Sequence, residues 1–138
     1  MERKYYQMKE VLEFLKLCRV YYIATMDGDQ PRVRPFGAQC GFEGRLYLTT
    51  SNQKAVYAQM KANPKIEISG MAPDGRWIRL TAEAVFDERP EARQAMLEAN
   101  PELGGLYSLD DGKFEVFYLQ NATAVICSFT APPVTITL

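Results

Sequence analysis

Histidine is absent from all 138 residues. Its absence removes His-based acid–base catalysis, Ser-His-Asp and Cys-His arrangements, and the commonest transition-metal ligand. Cysteine is scarce. Cys18, Cys40 and Cys127 are widely spaced and form no CxxC pair, and each lies in apolar or strand-like sequence. They read as buried inert thiols in preference to redox groups. No charge of one sign dominates, since 16 basic residues face 17 acidic ones for a formal net charge of −1. A nucleic-acid binder would want a basic face, so that class is excluded. No apolar run approaches the roughly 20 residues of a transmembrane helix. The N-terminus, MERKYYQMKE, is charged without a following hydrophobic segment, so no signal peptide is expected and the cytoplasm is the expected compartment. No GxGxxG follows a strand, which argues against a dinucleotide fold. Repeats, low-complexity segments and linkers are also lacking.

What is present is an ordinary globular balance, with 47% hydrophobic and 24% charged residues. One domain spanning residues 1–138, with a single core, is expected. Met8, Val11, Leu12, Leu15 and Cys18 recur at helical spacing and predict a first helix over about residues 7–18. Val20 to Thr25 is β-branched and aromatic, a strand. Lys54 to Ala62 predicts a second helix, ended by Asn63-Pro64 because the residue before proline leaves the α region. Lys65 to Gly70 alternates as a strand, and Ala72-Pro73-Asp74-Gly75 reads as a hairpin turn. The strand leaving it, Arg76 to Phe86, carries Ile78, Leu80, Ala82 and Ala84 on a core face and Trp77, Arg79, Thr81 and Glu83 on the other. Tryptophan among charges fits a subunit interface; a Trp lying flat under an Arg is the alternative. Pro90 starts a third helix through Ala99, with Glu91 suited to its N-terminus. Leu103 to Asp111 is loop or short helix. Two last strands, Lys113–Leu119 and Ala122–Phe129, are expected to join at Gln120-Asn121. Val134 to Leu138 alternates, as an edge strand or one crossing to a second subunit. Six or seven short strands with three interspersed helices predict a mainly β protein, an antiparallel barrel with peripheral helices.

The stretch Asp27 to Lys54 organises the rest. Asp27-Gly28-Asp29 and Glu43-Gly44 are turn signals. Between them Arg32, Arg34 and Phe36 alternate against Val33, while Pro31 and Pro35 confine that strand to a rim, an edge or a bulge. Gly37 then permits close backbone approach. Leu46 to Thr50 runs back, and Ser51 or Asn52 can cap the following helix. Lys54 falls in the first turn of that helix, where the macrodipole prefers an anion. With Arg34 and the hydroxyls of Thr49, Thr50 and Ser51 nearby, a bound phosphate resolves that misfit. The alternative sends Lys54 to solvent and pairs Arg34 with a surface carboxylate.

The segments GDQPRVRPFG, LYLTTSNQK and NPKIEI, with FLKLCRVYYIAT, GRWIRLTAEAVFDE and FEVFYLQNATAVICSFT around them, resemble the FMN-binding split-barrel family that includes pyridoxamine 5′-phosphate oxidase. Within it the chain resembles the short nitroimidazole-resistance (Nim) type. The resemblance implies a six-stranded antiparallel Greek-key split barrel that forms a homodimer, with FMN at the subunit interface. It implies that Arg34, Thr49 or Thr50, Ser51 and Lys54 hold the FMN phosphate. The isoalloxazine ring would lie against Arg34-Pro35-Phe36-Gly37, with Trp77 and Arg79 contributed by the other subunit. Some Nim-type relatives carry a His for haem or other ligands; this chain has none.

The implied activity is an oxidoreductase passing electrons from a reduced nicotinamide through FMN to a small planar acceptor of nitroaromatic or quinone type. No catalytic acid or base is named, because the flavin carries the chemistry. A non-catalytic module that stores or senses FMN is the alternative, and a barrel that has lost its cofactor is another. Pyridoxamine 5′-phosphate oxidation itself is not expected. Longer members carry an Arg- and Trp-bearing C-terminal segment for the substrate phosphate, and FTAPPVTITL has neither residue.

Overall fold

The computed structural model describes residues 2–138. In chain order the elements are α1 (Glu2–Cys18), β1 (Tyr21–Asp27), β2 (Gln30–Phe36), β3 (Gln39–Phe42), β4 (Arg45–Ser51) and α2 (Ala55–Ala62). There follow β5 (Lys65–Met71), β6 (Trp77–Asp87), α3 (Pro90–Ala99), a 3-10 turn (Pro101–Gly105), β7 (Phe114–Cys127) and β8 (Val134–Thr137). The strands form one antiparallel sheet in the order β2-β1-β5-β6-β7-β4-β3, with β8 on β7. The two ends of that path, β2 and β3, are consecutive strands separated by Gly37-Ala38. The sheet must therefore curl until its edges meet, leaving an unladdered seam. Tyr21 stitches the seam by donating from its hydroxyl to Gln39 Oε1 at 2.8 Å and the Ala38 carbonyl at 3.2 Å. Across the interior, Phe36 of β2 meets Phe117 of β7 edge-on at 6.4 Å. The architecture is a mainly β split barrel, as expected.

Inward alternation builds the core. Tyr21, Ile23, Ile68, Ile78, Leu80, Leu46, Leu48 and Phe117 are fully or almost fully buried. α1 closes one end of the barrel with Met8, Val11, Leu12, Phe14 and Leu15. A second, smaller core lies under α3, where Ala92 and Met96 meet Tyr47, Phe114 and Val116. An ion network ties that side together. The Asp87 carboxylate accepts from Tyr47 Oη at 2.7 Å and from Arg89 Nη2 at 2.9 Å, and Arg89 reaches Glu43 at 2.6 Å. The Arg89 guanidinium holds the Asp87 carboxyl well below the usual carboxylate range. Burial, reinforced by the bond to Asp87, pushes the Tyr47 phenol up to about 12.

Several expectations are corrected. Among the described residues there are eight strands, two more than the implied six, and β3 and β8, of four residues each, are the shortest. α1 begins at Glu2, since its first turns are polar and exposed and carry no hydrophobic period. The expected pair Lys113–Leu119 and Ala122–Phe129 is one continuous strand, β7. Asn121, in the left-handed region at φ 51°, makes a bulge there, with the register slipping against Thr81 and Glu83 of β6. Of the two readings of the tail, the edge strand is the one observed, since β8 pairs with β7 of its own chain. Trp77 packs on Phe129, with ring centroids 4.9 Å apart, and not under an arginine. Cys40 alone of the three thiols is buried; Cys18 and Cys127 are half-buried.

Other expectations hold. Pro31 and Pro35 lie on an edge strand, where no ladder bond is lost. Glu43 and Gly44, both at positive φ, form the two-residue turn between β3 and β4. No described helix is long and apolar enough to cross a membrane.

Candidate functional site

β4 ends in three hydroxyl residues, and pleating sorts them. Thr50 shares its face with Leu46 and Leu48 of the main core, whereas Thr49 and Ser51 share the face of Tyr47 toward α3. Thr49 donates to the Glu115 carbonyl at 2.8 Å, and Ser51 Oγ accepts the Gln53 amide at 3.2 Å. Thr50 is 3% exposed, yet its Oγ1 has no hydrogen-bond partner. Buried hydroxyls left so are rare and costly. Its cross-strand neighbour, Glu115, is occupied by Asn52 Nδ2 at 2.9 Å and Arg93 Nη2 at 3.4 Å.

α2 starts just beyond. Neither Ser51 nor Asn52 caps it. Lys54 occupies the cap position itself, extended at φ −90°, ψ 147°, and no side chain caps the helix. Ser51 stays in the ladder with Phe114, and that pairing outweighs capping. The amides of Ala55 and Val56 consequently have no partner among the described residues. Lys54 is exposed and makes no ion pair among them. A cation and free N–H groups therefore share one helix mouth, an arrangement that favours an anion.

Arg34, on β2, is drawn to the same helix. Its Nη1 donates to Thr25 Oγ1 at 2.7 Å, the Ile23 carbonyl at 3.1 Å and the Arg32 carbonyl at 3.3 Å. Its Nη2 donates to Gln59 Oε1 of α2 at 2.7 Å. Burial, with the charge of Arg32 beside it, lowers its pKa. Arg34 is thus held by neutral oxygens, without the surface carboxylate of the alternative reading. Arg32 takes that role, pairing with Asp27 at 3.3 Å.

The remaining predicted residues lie around the sheet. Phe36 faces inward, and a Cβ at Gly37 would come 3.2 Å from the Arg19 carbonyl. Pro35, Tyr22, Ser69 and Arg79 form an outward row across β2, β1, β5 and β6. Beside this row Tyr22, Ser69, Gly70, Met71, Trp77 and Phe129 line a shallow apolar cleft of about 360 Å³. Phe129 is 87% exposed and Met71 59%. Two larger clefts, of about 690 and 820 Å³, share Glu43, Arg45 and Tyr118. None of the three is lined by Arg34, Thr50 or Lys54.

The structure therefore joins Arg34 to α2, whose mouth holds Lys54 with Thr50 at the end of the preceding strand. It turns Thr49 and Ser51 to the opposite face and leaves Trp77 and Arg79 on an outer surface. Gln59 and Thr25 escaped sequence reasoning, because one polar residue on a helix and one in a strand give no periodic signal. Phe129 also escaped it; an aromatic after the last strand reads as strand continuation.

The sequence profile described as pyridoxamine 5′-phosphate oxidase matches residues 7–122. A NimC/NimA family protein from Clostridium acetobutylicum is 50% identical, with a TM-score of 0.97 over 99% of this chain and 96% of that one. General Stress Protein 26 from Bacillus anthracis strain Sterne matches at 16% identity and a TM-score of 0.74, over 97% of this chain and 98% of that one. A heme binding protein from Mycobacterium smegmatis matches at 17% identity and a TM-score of 0.72, over 98% of this chain and 57% of that one. These last two show the fold alone. None of the curated proteins compared matches the sequence. The chain belongs to the pyridoxamine 5′-phosphate oxidase family and is similar over nearly its full length to a protein of the NimC/NimA type.

Proposed function

We propose that this protein binds FMN as a homodimer and passes electrons from a reduced nicotinamide to a small planar acceptor of nitroaromatic or quinone type. The observation that carries the reading is the buried, unpartnered Thr50 hydroxyl beside a helix mouth whose cap is the unpaired Lys54. A phosphate monoester fits this donor set. Lys54, the Ala55 and Val56 amides and Thr50 Oγ1 would supply its donors, and Arg34 is tied to the same helix through Gln59. When bound, the flavin would supply hydride or electron transfer at its N5. The chain would hold the phosphate, support the ring along Arg34 to Gly37, and exclude water by dimerisation.

Support for the dimer comes from the exposed apolar residues Tyr22, Met71 and Phe129, with the half-buried Trp77 between them. Tyr22 stands opposite Pro35 in register, so this surface runs into the segment proposed to carry the ring. A planar group covered on one side only by that segment would need a second copy to cover the other. Trp77 and Arg79 are the proposed contribution of that copy. Haem is disfavoured because its commonest axial ligand, His, is missing.

The test is the visible spectrum of freshly purified protein, with the released cofactor weighed after denaturation and the mass of the native particle measured. A flavin spectrum, an FMN mass and a dimer are expected. A colourless monomer that also ignores added FMN would sink the proposal. Turnover with donor and acceptor then separates a reductase from a module that only stores flavin. Trp77→Ala is expected to lower both dimer content and flavin occupancy, and a loaded dimeric mutant would return Trp77 to the surface.

A further inference from the structure

Arg34 is anchored before any ligand arrives. Thr25, only 2% exposed, donates from Oγ1 to Gln59 Oε1 at 2.6 Å. The same Thr25 oxygen accepts from Arg34 Nη1 at 2.7 Å, and the same Gln59 oxygen accepts from Arg34 Nη2 at 2.7 Å. The three side chains close a ring. Two donors converge on Gln59 Oε1, so only one orientation of its amide satisfies the ring. A guanidinium has five N–H donors in a rigid plane. The two on Nη1 are shared among three oxygens, and one on Nη2 goes to Gln59. Nε–H and the second Nη2–H are left over.

We infer that Gln59, acting with Thr25, is a positioning residue that locks one edge of the Arg34 guanidinium and presents the other to the cofactor phosphate, so that Gln59 sets the preference for FMN over riboflavin. The inference rests on the reading of Arg34 as a phosphate ligand. Three features give Gln59 this role. It lies one helical turn beyond the start of α2, so it ties the orientation of Arg34 to the element that bears the helix mouth. It is neutral, and so anchors the guanidinium without cancelling the charge that a phosphate needs. Its partner Thr25 is itself fixed within the core, which makes the ring rigid. Preorganisation of this kind strengthens binding by removing rotamer freedom before the ligand arrives.

The test titrates FMN and riboflavin separately into cofactor-stripped wild type, Gln59→Leu and Gln59→Glu, each also in an Arg34→Ala background. Gln59→Leu removes the anchor and is expected to weaken FMN about tenfold while riboflavin changes less than about twofold. Gln59→Glu keeps shape and anchor but pairs a carboxylate with Arg34, and is expected to weaken FMN at least as much. As the isosteric change, it keeps the test valid should Gln59→Leu fail to fold. In the Arg34→Ala background neither change should matter further. Equal losses for FMN and riboflavin, an unchanged FMN affinity, or a loss that persists without Arg34 would each overturn the inference. Wild type that binds no FMN would overturn the functional proposal and this inference together. Wild type that binds FMN alongside silent Gln59 variants would overturn this inference alone.

Discussion

Two polar clusters flank the barrel and are built on opposite principles. Around Asp87 every strong group is answered: its carboxylate takes the Tyr47 hydroxyl and the Arg89 guanidinium, and Arg89 also takes Glu43. Around the start of α2 the accounts do not close. Thr50 Oγ1 is buried without a partner, Lys54 has no carboxylate, and the first amides of α2 are uncapped. Both clusters join a strand to a helix, so position in the fold does not explain the difference. A self-satisfied cluster has nothing left to offer a ligand and serves architecture. A cluster short of acceptors points to a missing anion.

The largest effect should come from breaking the closed cluster. Asp87→Ala strands the Tyr47 hydroxyl and uncouples Arg89 from the main chain of its own turn, where Asp87 Oδ1 also accepts the Arg89 amide at 3.1 Å. Urea denaturation should show a loss of about 2–4 kcal/mol, with FMN affinity of the folded fraction unchanged. The pH dependence follows from the same contacts. Folded Asp87 has its pKa depressed by Arg89, so the unfolded chain binds the proton more readily. Its contribution is present above the ordinary carboxylate pKa of about 4 and is lost as pH falls below it. Asp87→Asn should flatten the acid side of the stability profile. On the alkaline side the sign reverses. The Tyr47 phenol, pushed up to about 12, and the Cys40 thiol, pushed up to about 11 by burial, favour their neutral forms when folded. Stability from both should fade between about pH 9 and 12, and Tyr47→Phe should remove part of that slope.

Changes in the open cluster should do the reverse, sparing stability and damaging binding. Lys54→Ala and Arg34→Ala are each expected to weaken FMN by about 1.5–3 kcal/mol, the scale of hydrogen bonds to charged groups. Lys54→Ala, at an exposed and unpaired position, should move the unfolding midpoint by less than about 0.5 kcal/mol in equivalent stability. Unchanged FMN affinity in both variants would place the phosphate elsewhere and dissolve the contrast between the clusters.

How much of this was legible in the sequence varied with the kind of signal. Alternation and turn residues revealed the barrel, because glycine at positive φ and proline on an edge strand have few other uses. Gln120-Asn121 misled for an instructive reason. An asparagine in the left-handed region serves a hairpin turn or a bulge equally well, and only the long partner strand β6 decides between them. The start of α2 was legible in composition and not in direction. Thr49, Thr50 and Ser51 look alike in sequence, but pleating sends Thr50 one way and its neighbours the other. Gln59 was illegible. Its role exists only because β1, β2 and α2 converge in space, from positions 25, 34 and 59.

The smallest effect makes the sharpest test, because it predicts opposite signs in two assays of one variant. Thr50→Val replaces the buried hydroxyl with a methyl of nearly the same size. Among the described residues that hydroxyl has no partner, so its removal from the cofactor-free protein is expected to relieve a desolvation cost at almost no packing expense. The stripped variant should be more stable than stripped wild type by about 1 kcal/mol. FMN, if it takes a hydrogen bond from Thr50, should bind the variant about tenfold more weakly. The two effects oppose each other in the loaded protein, so its thermal midpoint should hardly move. A hydroxyl serving only structure would give the contrary pattern, with stability lost in the stripped protein and affinity untouched. Thr49→Val supplies the control, since that hydroxyl donates to the Glu115 carbonyl and lies on the other face. It should cost stability and leave FMN binding alone, which places the boundary between architecture and ligand site between two adjacent residues of one strand.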